Sequence, residues 1–550
     1  MTDVAMPADQ QPLATDASAG CCPDEPTLPG SSAVNAWTQP STSALLIWLA
    51  LLALEVIAVL LLCDSRLFFS LDDAYIHLAV ADQILSGGYG INVSEYSSPS
   101  SSIIWPYFLA LTETLHLGPL GPLLINIAAA GSTIFAIMRF LEASGLFDGE
   151  ELPFTCLITL LVIFITSAVA LPMTGMEHSV HVCATIVTFT GLVATTRGFA
   201  PTPLHFAALV LLPLIRFEGI AFACAAIVAF ALLDQRRFAA GAAVVVAVSL
   251  SGYCVFMASR GLPLLPSSVL LKGYLTTLDE PASELPAIVR NVLRSMTTSY
   301  GLRLIALGLA VAWCANLLRA DRKVLIVFLT VIFAVGAHLA CGQYGWFNRY
   351  EVYIMALAAA ALVWGAAKLK PELSGLQWVR AKIGMVLGLG VAAIPYVTAA
   401  VATPLGASDV YEQQHQMARF AQSFYGRPVG VNDLGMVAYG NDNYTLDLWG
   451  LGSEQVRKAR MMGEYGPAQM AALAEDHHVG VVMIYSSWFA KGVPSSWRKV
   501  AVLRTKSVTL SSQDVDFYIT PLADKAVVAS ALWAFKASLP SRDRLDIVTP

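Results

Sequence analysis

The sequence predicts an α-helical polytopic membrane protein with a small soluble α/β domain at its C-terminal end. Three observations carry this. Apolar residues make up 56% of the 550-residue chain and charged residues only 13%, about half the roughly 25% usual in soluble domains, and mean hydropathy is +0.63. Apolar runs near the ~20 residues that cross a bilayer follow one another as far as residue 403. Beyond residue 404 the density of Asp, Glu, Gln, Asn and Arg rises, and short β-like runs appear at Val481–Tyr485 and Val500–Leu503 behind a helical stretch from Glu454 to Asp476.

Charge and cysteine usage narrow the class further. A formal charge of −6 leaves no basic excess to neutralise phosphates, which argues against a nucleic-acid partner. The nine cysteines form no disulfide framework. Seven of them, Cys63, Cys156, Cys183, Cys224, Cys254, Cys314 and Cys341, lie in or beside apolar runs, where a thiol acts as a small hydrophobe.

Residues 1–42 are rich in Pro, Ser, Thr, Ala and Asp. They bury too little apolar area to fold and read as a disordered cytoplasmic tail. Residues 43–403 form the membrane module, with about 11–13 transmembrane helices. The apolar runs fall at 43–63, 102–117, 121–139, 153–171, 176–196, 203–215, 218–233, 238–258, 302–318, 323–341, 350–366 and 383–403. Arg197, Arg236 with Arg237, Arg319 with Arg322 and Lys323, and Lys368 through Lys382 mark cytoplasmic ends. That alternation puts loops 172–176, 216–219, 259–300 and 342–349 outside, together with the domain at 404–550. Upstream the parity does not close, so one of the three runs between 102 and 171 is re-entrant or split. The runs at 203–215 and 218–233 are short for full spans, as half-helices around a cavity are.

Candidate chemistry begins in the first outer loop at Asp72-Asp73-Ala74-Tyr75-Ile76-His77. Adjacent carboxylates just past a membrane helix are costly unless solvated or used. Asp73 and His77 are four apart and share a helix face. The plain alternative is a helix cap with a first-turn acid. The loop continues through Gly87–Asn92 to Tyr96-Ser97-Ser98-Pro99, small hydroxyl-bearing residues that suit a polar ligand or any surface turn. At Gly175-Met176-Glu177-His178 and His181 the helical spacing leaves open a metal held by Asp73, Glu177 and His181, or simply a polar helix end. Arg216-Phe217-Glu218-Gly219 sits between the two short runs, and ionisable groups at that depth face a cavity or pair structurally. Arg216, Lys272 and Arg349 bring cations from three distant outer segments. Converging cations suit a phosphate, while any one alone is explained by snorkelling to headgroups.

In order along the chain these pieces resemble the GT-C superfamily of integral-membrane glycosyltransferases, nearest the bacterial terminal arabinofuranosyltransferase-like proteins of cell-wall synthesis. The matching residues are Asp72-Asp73-Ala74-Tyr75-Ile76, Gly87–Asn92, Ser98-Pro99, Gly175-Met176-Glu177, Arg216-Phe217-Glu218-Gly219 and Leu265-Pro266-Ser267-Ser268 ahead of Lys272. Asn432-Asp433-Leu434-Gly435 and Asp447-Leu448-Trp449-Gly450-Leu451 extend the likeness into the C-terminal domain. Two departures stand out: Phe217 where relatives have Pro, and Pro266-Ser267-Ser268 where they have Pro-Asn-Thr.

The resemblance implies a multi-pass protein of the bacterial inner membrane with its C-terminal domain on the periplasmic or exterior side. It also implies a polyprenyl-phosphate donor carrying a pentose such as arabinofuranose, or a hexose. The acceptor would be an extracytoplasmic glycan, lipid or protein, and transfer would invert the anomeric centre. On residue chemistry Asp72 is the first choice of base and Asp73 the second. Arg216, Lys272 and Arg349 would hold the phosphate, with His77, Glu177, Glu218, Tyr96 and Ser98 in support. No particular cofactor is implied, and a divalent metal is left open. The alternative reading is a lipid-linked sugar flippase or transporter, which also uses intramembrane charges and broken helices. A third, a membrane-anchored polysaccharide-binding protein, gives the charged outer loops no role.

Overall fold

The computed structural model describes residues 39–93, 95–272 and 285–548. The expected N-terminal tail lies outside the described residues up to position 38. Among the described residues, eight helices are long and apolar enough to cross a membrane. They are Pro40–Leu62, Leu120–Ala143, His178–Thr196, Arg236–Ser259, Ser299–Leu317, Arg322–Cys341, Val352–Glu372 and Gly375–Tyr425. Three shorter apolar helices, Leu152–Ile165, Pro203–Ile215 and Gly219–Leu232, complete the bundle.

The helix that starts at Val352 is its axis. Nearly every residue from Val352 to Ala361 is buried, and the run of alanines lets neighbouring backbones approach closely. Against it pack the His178–Thr196, Ser299–Leu317 and Arg322–Cys341 helices. Pro40–Leu62 is peripheral. Trp48, Leu52, Glu55 and Val59 form its inward stripe, while Leu46, Leu54 and Leu61 are exposed. The Trp48 indole donates to the Ala168 carbonyl at 2.8 Å and fixes this helix in rotation.

The parity problem resolves at residues 102–117. There the chain makes only the nine-residue helix Trp105–Glu113, far too short to span, which packs on the Asp73–Leu85 helix at the bundle's end. Pro203–Ile215 and Gly219–Leu232 are 13 and 14 residues long. At 1.5 Å per residue each covers about 20 Å of a roughly 30 Å hydrocarbon core, so the turn Arg216–Glu218 between them sits at membrane depth. An amphipathic helix, Ala287–Thr297, is tied to the end of Arg322–Cys341. Asn291 donates to the Ala340 and Gly342 carbonyls, each at 3.0 Å, and Ser295 to the Leu339 carbonyl at 2.8 Å.

The chain does not break at 404. One helix runs from Gly375 to Glu412, through Pro395 and Pro404, and leads by Gln414–Arg419 into the C-terminal domain. That domain is a six-stranded mixed sheet of β1 (Val429–Val431), β2 (Thr445–Asp447), β3 (Val481–Ile484), β4 (Arg498–Arg504), β5 (Asp514–Ile519) and β6 (Arg544–Ile547), in the order β2-β1-β3-β5-β4-β6. Strand β1 runs parallel to both β2 and β3, with Val429 opposite Thr445 and Val481. The remaining pairs are antiparallel. Lys525–Ala537 covers one face, where Phe535 meets Phe420, and Pro467–Asp476 covers the other, with Met470 and Ala474 against Leu446 and Val482.

Candidate active site

Outer-loop segments converge at one end of the bundle around a cavity of about 480 Å³. Its lining draws on Asp73 and His77, on Pro99 and Ser101, on Arg216 to Glu218, on Leu265 and Ser268, on Gln343, Arg349, Tyr350 and Tyr353, and on Leu451 of the C-terminal domain. These loops therefore share one end of the molecule. Much of the remaining wall is apolar, from Ile76, Met176, Ile220, Ala221, Val269 and Ala337.

Asp73 is the first residue of the Asp73–Leu85 helix, where the helix dipole favours a negative charge. Its carboxylate accepts from Arg349 Nη2 at 2.6 Å. Arg349 is 2% exposed, and its Nε and Nη1 have no hydrogen-bond partner among the described residues. The loop that delivers this guanidinium is strained. Trp346, Phe347 and Asn348 all have positive φ, at 51°, 61° and 56°, a conformation costing of order 1–3 kcal/mol for each non-glycine residue. Asn348 Nδ2 donates to the Pro395 carbonyl at 2.5 Å, and Gly345 N donates to Glu351 at 3.0 Å, which hold the loop in place.

A second cation stands deeper. Arg216 donates two bonds to Glu218, at 2.7 and 3.1 Å, and one to Glu177 at 2.7 Å. Glu177 is fully buried, accepts also from Ser101 at 3.0 Å, and lies 3.8 Å from His77 Nε2. Its position depends on Gly175, which has φ of +67°. A Cβ there would come within 2.7 Å of both Phe69 and Ala74. The Tyr350 ring lies between the cations, 5.4 Å from the Arg216 guanidinium and 5.0 Å from that of Arg349. Burial lowers the pKa of His77, against the pull of Glu177 and Asp73, so the neutral imidazole is favoured. Its Nδ1 pairs with the Ser100 hydroxyl at 3.0 Å.

The structure reverses the places expected of the two aspartates. Asp72 does not line the cavity. Its carboxylate accepts from the backbone N–H groups of Gly435 and Met436, at 2.6 and 2.8 Å, and so caps a short helix of the C-terminal domain. Asp433 lies beside it, and burial followed by that like charge raises the Asp72 pKa well above the usual carboxylate range. Sequence spacing could not separate the neighbours, because successive helix residues point about 100° apart and only the packing decides which faces the cavity.

Other expectations are redistributed. Tyr96 stacks under Arg260, 4.7 Å from its guanidinium carbon, rather than lining the cavity. Ser98 is buried and accepts from the Ser267 N–H, pinning the Pro266–Ser268 turn. The suggested metal triad does not assemble. Among the described residues no three His, Cys, Asp or Glu side chains are grouped for a metal. Glu177 is engaged by Arg216, and His181 stacks on Tyr353 at 4.3 Å. The Lys272 side chain lies outside the described residues. Tyr350, Tyr353, His338 and Ser101 were missed as site residues. The signal available was Arg349 and Tyr353 at helical i,i+4 spacing, with a histidine inside an apolar span.

Together these features define a class: a polytopic helical membrane protein with a cation-bearing, largely apolar-walled cavity beneath a docked α/β domain. One solved structure shares the fold, and two others are more distantly similar. ArnT from Cupriavidus metallidurans bound to undecaprenyl phosphate superposes with a TM-score of 0.50 at 12% identity, over 88% of this chain and 99% of ArnT. The apo state of the same protein gives 0.47 at 11% identity, over 88% of this chain and 99% of that one. The arabinofuranosyltransferase AftD from Mycobacteria gives 0.45 at 12% identity, over 87% of this chain and 42% of AftD. A family model described as "Domain of unknown function (DUF8728)" matches residues 406–518. No curated protein sequence matches the chain.

Proposed function

We propose that this protein is a membrane glycosyltransferase that moves a sugar from a polyprenyl-phosphate carrier to an acceptor hydroxyl on the periplasmic side of a bacterial inner membrane. The observation that carries the reading is the pairing of Asp73 with Arg349 at 2.6 Å on the cavity wall, with two further guanidinium nitrogens of Arg349 unpartnered among the described residues. A carboxylate and a phosphate-binding cation line one cavity, the two kinds of group that displacement at a glycosyl phosphate uses. The likeness to ArnT, solved with undecaprenyl phosphate, supports the donor class.

The acceptor alcohol is a poor nucleophile, and Asp73 takes its proton as the new bond to C1 forms. The bond between C1 and the phosphate oxygen breaks on the opposite face, so one displacement inverts the anomeric centre. The departing phosphodiester becomes a monoester and gains negative charge. Arg349 stabilises that charge without a proton donor. The apolar wall accommodates the first isoprene units. Asp72, occupied at the domain junction, positions the loop that carries Asp73.

The test is direct. Purified protein in nanodiscs, incubated with decaprenyl- and undecaprenyl-phosphate pentoses and hexoses, releases the lipid phosphate from one donor class when acceptor is present. Release from none of them, with a folded sample, overturns the reading.

A further inference from the structure

The cavity does not end at the membrane module, because Leu451, from the loop after β2, closes part of its wall. Strands β1, β2 and β3 are parallel, and their C-terminal ends carry Asn432 and Asp433, then Leu448 and Trp449, then Tyr485 to Trp488. Ligands of open α/β sheets bind outside the C-terminal ends of such strands. Here that edge faces the membrane module, since Asp433 neighbours Asp72 and Leu451 reaches the cavity. The Ser267–Lys272 helix, whose Ser268 and Val269 line the cavity, packs on the Glu454–Met461 helix just beyond Leu451.

Two half-buried tryptophans stand on this edge. The rings of Trp449 and Trp488 are 4.7 Å apart at 56°, forming an open angle. Their positions are fixed by more than apolar packing. Asp447 accepts from the N–H groups of Trp449 at 2.7 Å and Gly452 at 2.6 Å. Arg460 lies 3.7 Å over Trp449 and donates to its carbonyl at 3.0 Å. Trp488 packs against Tyr485, with ring centroids 5.3 Å apart. At the same edge Asn432 is buried with its Nδ2 unpartnered among the described residues. Both indoles pack against the core on one side and remain half-buried. Large flat aromatics with a wet side suit the C–H face of a sugar ring.

We propose that Trp449 and Trp488 form an acceptor subsite that holds a sugar ring of a glycan acceptor at the edge of the cavity. This rests on the glycosyltransferase reading and narrows its acceptor to a carbohydrate chain. The test is calorimetric and needs no donor: intact protein in nanodiscs is titrated with α-1,5-arabinan and α-1,6-mannan hexasaccharides. At least one binds, and Trp488→Leu weakens its Kd by about tenfold, equivalent to about 1.4 kcal/mol, while Trp488→Phe restores most of the affinity. Trp449→Leu serves as the second variant should Trp488→Leu not elute as a folded species. Where turnover is measurable, the same leucine variants raise the acceptor KM by about ten times more than the donor KM. Absence of hexasaccharide binding, or binding that both leucine variants leave unchanged, overturns the subsite. Hexasaccharide binding without lipid-phosphate release from any donor retains the subsite and removes the glycosyltransferase reading.

Discussion

Arg349 is buried, and its Nε and Nη1 have no hydrogen-bond partner among the described residues, so its side chain suits an anion. Its guanidinium holds Asp73 through Nη2, while Nε–H and Nη1–H, on different edges of the plane, can each reach a separate oxygen of an anion. Lysine has no such geometry. Arg349→Lys is expected to lower turnover by about 30- to 1,000-fold, as loss of about 2–4 kcal/mol of charge stabilisation implies, with a smaller change in donor KM. Steady-state kinetics with a defined lipid donor check this. Arg216 has a different task, since its bonds to Glu177 and Glu218 hold the two short helices and the Gly175 turn together. Arg216→Ala leaves the buried Glu177 and the part-buried Glu218 uncompensated. It is expected to destabilise the fold by about 3–5 kcal/mol, read as a drop in melting temperature. Which cation is structural was not legible in the sequence, where both are an arginine beside an aromatic residue and a glutamate.

The junction between the Asp73–Leu85 helix and the C-terminal domain gives element-scale tests. Gly435 touches the Asp72 backbone so closely that an added Cβ would lie well inside van der Waals distance of the Asp72 carbonyl oxygen. Gly435→Ala is expected to destabilise docking by about 1–3 kcal/mol and to depress turnover, measured by thermal melting and by activity of the folded fraction. The buried carboxyl pair gives a pH dependence. Burial, and then Asp433, raises the Asp72 pKa in the folded protein above its unfolded value near 3.9. The folded state therefore binds the extra proton. This stabilisation is fully present below about pH 4 and is lost as pH rises through the folded pKa. Melting temperature should fall from pH 5 to pH 8, and Asp433→Asn should flatten the slope and raise stability at pH 8. A steeper slope in Asp433→Asn would contradict the assignment. The helices were legible here because their apolar periods are long. The irregular elements were not. Trp105–Glu113 read as part of a span because its composition matches one, and only its packing on Asp73–Leu85 distinguishes it.

At the scale of the whole molecule, the run of helices places the cavity loops and the C-terminal sheet at the same end. We propose from the basic residues between the spans that this end lies outside; alkaline phosphatase fused after residue 550 should then be active, whereas a cytoplasmic reporter there should be silent. Fold class was readable from composition and run length because a bilayer imposes both. The site was readable as a set of outer-loop charges, since ionisable residues near a membrane stand out. Its inner order, with Asp73 inward, Asp72 outward and Tyr350 between two guanidiniums, depends on tertiary packing that spacing does not encode. The account's central claim is that Asp73 accepts the acceptor's proton during displacement of a lipid phosphate. Single-turnover release of polyprenyl phosphate from its labelled sugar, with acceptor present, tests it by comparing wild type, Asp73→Asn and Asp72→Asn in folded nanodisc samples. The expected result is a loss of at least about 100-fold in Asp73→Asn and a much smaller loss in Asp72→Asn, whereas normal release by Asp73→Asn, or a dead Asp72→Asn beside an active Asp73→Asn, would contradict it.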